Sequence, residues 1–183
     1  MEEPINIDPD LIPVIRAVGP LNFTELQRPV YVALIGAILG QRIPYATARS
    51  LRGKVYTALG VNFTYVEFDK WTHAAYEIPA DKLKIIRTVN AFLKTQPEDF
   101  LNKRANIESL QQLQGIGPWT IKTTLLVSGL DPDIFPSDDY FIQKRLQRLY
   151  NLQKTPTAAE SEKISERWKP YRSYVCWYLW RWF

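Results

Sequence analysis

Apolar and polar residues follow one another along this chain with the period of an α-helix. Between residues 81 and 95, Leu83, Ile86, Val89 and Leu93 recur at spacings of three and four, and Lys82, Lys84, Arg87 and Asn90 fall off that stripe. Thr120, Ile121, Thr124, Leu125 and Ser128 share a helical face in the same way. No segment shows the sustained two-residue alternation and β-branched enrichment of a strand. An all-α fold of roughly nine or ten short helices is therefore expected. The longest apolar run, residues 31–39, is far shorter than the roughly 20 residues that span a bilayer, and it reads as a buried core helix. Pro44, Pro79, Pro118 and Pro170 each stand where a helix can start, because a first-turn residue has no intrahelical N–H bond to lose. Residues 151–157 and 62–66 read as connecting loops, too short to divide the chain. The expectation is one domain over residues 1–183, compact or built as two small lobes sharing a cleft.

Composition narrows the chemistry. The chain has one cysteine, Cys176, and one histidine, His73, so a disulfide framework, a structural zinc site and a Cys-ligated iron-sulfur cluster all lack ligands. No metal site is expected. Residues 1–10 carry Glu2, Glu3, Asp8 and Asp10 and no basic residue, the opposite of a signal or transit peptide. With an unpaired cysteine this points to an intracellular protein and away from a membrane. The net charge of +4 is unevenly spread. Residues 1–30 hold two basic and five acidic side chains, whereas residues 139–183 hold nine basic and four acidic ones. Arg42, Arg49, Arg52 and Lys54 form a second basic stretch with no acid between them. Each run reads either as a phosphate-facing surface or as an ordinary solvated helix face.

The most informative stretch is Leu113-Gln-Gly-Ile-Gly-Pro-Trp-Thr120, which joins a helix predicted over 105–113 to another beginning at Pro118. Gly115 and Gly117 can take positive φ and leave the backbone bare, so that N–H groups at the second helix start point at an anion such as a DNA phosphate. A plain Gly-rich turn between antiparallel helices would look similar. Leu-x-Gly-Ile-Gly-x-x-Thr followed about twenty residues on by an aspartate at a helix start resembles the helix-hairpin-helix superfamily of DNA glycosylases. Within it the chain is most similar to 3-methyladenine glycosylases of the AlkA type, over roughly residues 25–183. The resemblance implies a helix-hairpin-helix motif at residues 105–129, an active-site cleft between two helical lobes, double-stranded DNA as partner, and a monomer. It implies no organic cofactor, but suggests a monovalent cation held by hairpin carbonyls. The extra N-terminal sheet domain common in the family has no room here.

The carboxylate of interest lies in Phe135-Pro-Ser-Asp138-Asp139-Tyr140, ahead of a helix predicted over 141–149. One reading is structural: Ser137 or Asp138 caps the helix and Asp139 favours its positive end. The other is catalytic, one aspartate capping and its neighbour projecting into a cleft. Similarity to the AlkA-type Pro-x-Asp-Asp-Tyr makes Asp139 the catalytic member. Breaking a purine N-glycosidic bond builds positive charge on the deoxyribose, which a fixed carboxylate stabilises; the same group can orient or deprotonate water.

Bifunctional branches of the superfamily carry a nucleophilic lysine where this chain has Trp119, so the resemblance implies hydrolysis without strand cleavage. Lys122 points about 60° away on a regular helix. Trp119 matches the aromatic wall of the base pocket. Trp168-Lys-Pro-Tyr171-Arg172-Ser-Tyr174 resembles the family's C-terminal motif, which puts Trp180 at a second pocket position. Tyr171, Tyr174 and Tyr178 share a different helical face from Ser173, Cys176 and Trp180. Indole faces attract a cationic purine more than a neutral one, and such a base needs no general acid to leave. Finally, Ile38-Leu-Gly-Gln41-Arg42-Ile-Pro44 resembles the family's Leu-Gly-Gln-x-Val-Ser loop, where x is the apolar wedge that fills the gap left by a flipped base. Here x is Arg42, which either stacks as that wedge, cedes the part to Ile43, or contacts phosphate. The DNA-binding set is thus Gly115, Gly117, Thr120, Gln41 and Arg42. The expected activity is excision of alkylated purines such as 3-methyladenine or 7-methylguanine. Alternatives are the same scaffold acting on uracil, hypoxanthine or an oxidised purine, and a non-catalytic DNA-binding module.

Overall fold

The computed structural model describes residues 8–71 and 78–183; His73, Glu2 and Glu3 lie outside them. Among the described residues there are eleven α-helices and no strand. They are α1 (Ile12–Val18), α2 (Phe23–Leu26), α3 (Val30–Gly40), α4 (Tyr45–Leu59), α5 (Tyr65–Trp71) and α6 (Ala80–Leu93), then α7 (Arg104–Ser109), α8 (Pro118–Ser128), α9 (Tyr140–Leu149), α10 (Ala158–Ser165) and α11 (Arg172–Arg181). The all-α expectation holds. No helix among the described residues is long and apolar enough to cross a membrane.

The helices fall into two compact units: the chain up to Leu26 together with Asp131–Phe183, and Gln27–Leu130. In the second unit α3 is the hub. Every residue from Tyr31 to Leu39 is buried, so the apolar run is apolar all round because α8, α4 and α6 enclose it. In the first unit α11 packs on α9 and α1. Trp168 is fully buried there, and its indole N–H donates to Asp8 Oδ2 at 2.8 Å.

Local chemistry sets the helix boundaries. Pro44 and Pro79 stand immediately before α4 and α6, and Pro118 occupies the first turn of α8. Pro170 departs from this pattern, lying two residues ahead of α11. Thr157 and Glu160 form a capping box at α10. The loop at residues 151–157 is present, whereas the one expected at 62–66 is shorter because α5 already begins at Tyr65.

Two polar residues of α6 overturn the simple stripe. Lys82 and Asn90 are buried, while Leu83 is only half-buried. Asn90 accepts from the Tyr31 hydroxyl at 2.8 Å and donates to Asp69 at 2.7 Å. Periodicity assigns polar side chains to the solvent face, but a buried polar group is stable wherever its hydrogen bonds are met. The buried Tyr31 phenol is held far above its usual pKa, chiefly by desolvation.

Candidate active site

In the second unit the hairpin is built around Gly115. Its φ is +92°, and a Cβ there would stand 2.6 Å from Ile85 Cγ1, so both backbone and packing require glycine. Gly117 is different. Its φ of −103° suits any residue and a Cβ would meet nothing within 4 Å, so the expectation of positive φ holds at Gly115 alone. We expect Gly115→Ala to lower stability by about 2 kcal/mol through strain and overlap. Gly117→Ala should stay within about 0.5 kcal/mol of wild type. Urea unfolding of the two variants checks this, and equal losses would contradict it.

Gln41 ties the chain after α3 to this hairpin. Its Nε2 donates to Gly115 O and to Thr120 Oγ1, both at 2.9 Å. Gln41 and Thr120 therefore brace the hairpin from within, and Thr120 is buried. The first-turn amides of α8 have no intrahelical acceptor. Leu113 O and Gly115 O each accept one hydrogen bond and keep a second lone pair, so their chemistry fits a hard monovalent cation.

Arg42 follows Gln41, exposed and with φ +55°, a conformation that is strained for a side-chain-bearing residue. Arg49 and Lys54 are exposed too. Arg52 is not part of that surface. It turns inward against α3, where Nη1 donates to Gly36 O at 3.3 Å. A Cβ at Gly40 would lie 3.1 Å from Arg52 Nη1 and 3.7 Å from Trp119 Cη2. Gly40 thus makes the room in which the half-buried Trp119 indole and this guanidinium settle. Burial pulls the Arg52 guanidinium below its usual range, with Tyr56 and Tyr45 opposing.

In the first unit Asp139 is 4% exposed and is itself the N-cap of α9, its Oδ1 accepting from Ile142 N at 2.9 Å. The expectation that Ser137 or Asp138 caps this helix is corrected. Asp138 is exposed, and the Ser137 carbonyl accepts from Gln143 Nε2. Capping fixes the carboxylate of Asp139 at the positive end of its helix.

The segment leading to Asp139 is held by α11. Arg172 grips Asp133 through Nε at 2.7 Å and Nη2 at 3.0 Å, and reaches Glu162 through Nη1 at 2.7 Å. Those carboxylates more than offset the effect of burial and push the Arg172 pKa up. Ser173 Oγ accepts from Ile134 N at 2.9 Å and donates to Asp131 O at 2.8 Å. The Trp-Lys-Pro-Tyr-Arg-Ser-Tyr motif contains this clamp in Arg172 and Ser173, whose partners lie about forty residues away and are marked by no local pattern. Cys176, one turn on, is fully buried, and its thiol is pushed up by burial and then by the charge of Asp139. Trp180 continues the helical face of Cys176. It is half-buried and packs edge-on against Trp177 with ring centroids 5.6 Å apart. Tyr174 and Tyr178 occupy the other face, both against Phe23.

No family model matches the chain. It is 29% identical over 83% of its length to a DNA-3-methyladenine glycosylase of Bacillus subtilis, covering 56% of that protein. It is also 28% identical over 93% of its length to DNA-3-methyladenine glycosylase 1 of Schizosaccharomyces pombe, covering 79% of it. The chain thus spans just over half of the bacterial relative and about four-fifths of the yeast one. In structure it matches an S. pombe 3-methyladenine DNA glycosylase in complex with abasic DNA, with TM-score 0.72 and 24% identity over 96% of this chain and 91% of that one. That match establishes the shared helical fold. Together with the Gly115 hairpin and the capped aspartate, these comparisons lead to one conclusion: the chain is similar in sequence to 3-methyladenine DNA glycosylases along nearly its whole length and shares the helical fold of one of them.

Proposed function

We propose that this protein is a monofunctional DNA glycosylase that extrudes an alkylated purine from duplex DNA and hydrolyses its N-glycosidic bond, leaving an abasic site. The observation that carries the reading is Asp139, a buried carboxylate pinned through one oxygen at a helix start. A charge held still before the reaction stabilises the oxocarbenium-like sugar without reorganising, and more strongly away from bulk water. The same carboxylate can orient the attacking water.

Trp119 supports hydrolysis over lyase chemistry. It presents an indole where a Schiff-base mechanism would need an amine, and Lys122 stands about 60° around the same helix. Trp119 and Trp180 are the proposed aromatic surfaces for the extruded base. Their faces favour the positive charge of a 3-methyladenine or 7-methylguanine nucleoside, and a cationic purine departs without protonation.

Double-stranded DNA would be engaged through its backbone by the start of α8 behind Gly115 and Gly117, with Gln41 and Thr120 keeping that turn in shape. A monovalent cation on the Leu113 and Gly115 carbonyls would add positive charge for a phosphate oxygen there. Arg42 would enter the gap left by the extruded base.

The test is incubation of the purified protein with methylated, deaminated and oxidised duplexes, reading released base and strand breaks with and without alkali. We expect release of 3-methyladenine or 7-methylguanine, with breaks only after alkali. Breaks without alkali would overturn the hydrolytic mechanism, and release of uracil or 8-oxoguanine alone would overturn the substrate class.

A further inference from the structure

Lys82 is a lysine that sequence periodicity assigns to solvent, and it is 4% exposed. From α6 its Nζ donates to Gln41 O at 2.7 Å and to Ile38 O at 3.3 Å. Gln41 is the C-cap of α3 and Ile38 lies in its last turn, where Ile38 O also accepts from Gln41 N at 3.2 Å and the helix dipole is negative. A buried ammonium is costly unless its donors are met, and here the end of α3 meets them. Burial draws its pKa down, nearby Asp81 opposes this, and Arg42 adds to it.

The residues after that cap are those that touch the hairpin and face outward. The Gln41 carbonyl is held by Lys82 while its side-chain amide holds Gly115 and Thr120. The backbone of Gln41 is thereby fixed from two directions. Arg42 comes next, with φ +55° and an exposed side chain. A strained backbone persists only where its surroundings over-determine it, and the bonds on Gln41 supply that. The like charge of Lys82 disfavours an inward turn of the Arg42 guanidinium.

We propose that Lys82 is a positioning residue, a tethered cation beneath the Gln41–Arg42 turn that holds Arg42 outward and pre-set to enter the space vacated by an extruded nucleotide. The inference rests on the glycosylase reading of the site. Lys82 itself touches neither sugar nor base. Its contribution is to the extrusion step, and so it should matter most where extrusion is hardest.

The experiment compares wild type, Lys82→Met and Lys82→Arg in single-turnover release of 7-methylguanine placed opposite cytosine or opposite a mismatched thymine, with melting temperatures for each protein. Extruding a mismatched base needs less work. We expect Lys82→Met to lose about tenfold or more opposite cytosine, as a strained conformer that loses its support becomes a minor one. Opposite thymine the loss should shrink to about threefold or less, and Lys82→Arg should recover most of the activity on both. An equal loss on both substrates would overturn the proposal in favour of a purely structural lysine, as would no loss on either. Were the wild type to release no base at all, the glycosylase reading would fall. Lys82 would then be judged by binding to a duplex carrying a tetrahydrofuran abasic analogue, where at least about a tenfold weakening by Met, restored by Arg, is expected, and unchanged binding would end the inference.

Discussion

Replacing Asp139 by asparagine should reduce base release by at least about 100- to 1000-fold while leaving the fold intact. Because Asp139 Oδ1 accepts from Ile142 N at the start of α9, alanine would remove a helix cap worth about 1 kcal/mol together with the charge. Asparagine keeps the cap, since its carbonyl oxygen can take the same N–H, and removes only the negative charge. The melting temperature should barely move. Affinity for abasic duplex should be unchanged or slightly higher, as one negative charge near a polyanion has gone. Asp138→Asn is the matched control: the residue is exposed, and its loss should leave release within about twofold. If Asp138→Asn abolishes release and Asp139→Asn does not, the catalytic assignment is wrong by one position.

Trp168→Ala should be the most destabilising single change in the first unit, by about 3–5 kcal/mol. Trp168 is fully buried against Phe135, with ring centroids 5.8 Å apart. Its N–H is one of the donors to Asp8, alongside the Tyr150 hydroxyl at 3.3 Å and the Asp10 amide at 3.0 Å. Removing the indole leaves both a cavity and a buried carboxylate short of a donor, and the second effect costs about 1–3 kcal/mol. Trp168→Phe separates the two, retaining most of the volume and losing only the hydrogen bond. At this chain length the Ala variant should melt about 10 °C or more below wild type, and the Phe variant about a third of that. Calorimetry reads both, and a Phe variant as unstable as the Ala variant would show that the cavity is not the main term.

The α-helical class was legible because burial and helical period act locally: an apolar run at residues 31–39 has no stable fate in water except enclosure by other helices. The hairpin was legible for a similar reason, since Gly115 sits where no Cβ fits. The residues around Asp139 in sequence single it out, but they do not say which polar residue caps α9. Three consecutive polar residues, Ser137, Asp138 and Asp139, are all competent caps, and only the path of the preceding loop selects one. That path is set by Arg172 and Ser173 from a helix more than thirty residues away.

What the sequence determined by itself was therefore the local: helical period, the glycine turn, the cap-forming aspartates, and the absence of a nucleophilic amine at position 119. The tertiary structure alone decided which polar groups are inside. Lys82 and Asn90 look like solvent-facing residues of α6, yet they are buried because carbonyls at the end of α3 and the Tyr31 hydroxyl meet their hydrogen bonds. Asp8 looks like part of an acidic leader, yet it closes the first unit onto Trp168, 160 residues on. Periodicity measures only average hydrophobicity, whereas the fate of a polar side chain depends on whether partners distant in sequence arrive within hydrogen-bonding distance.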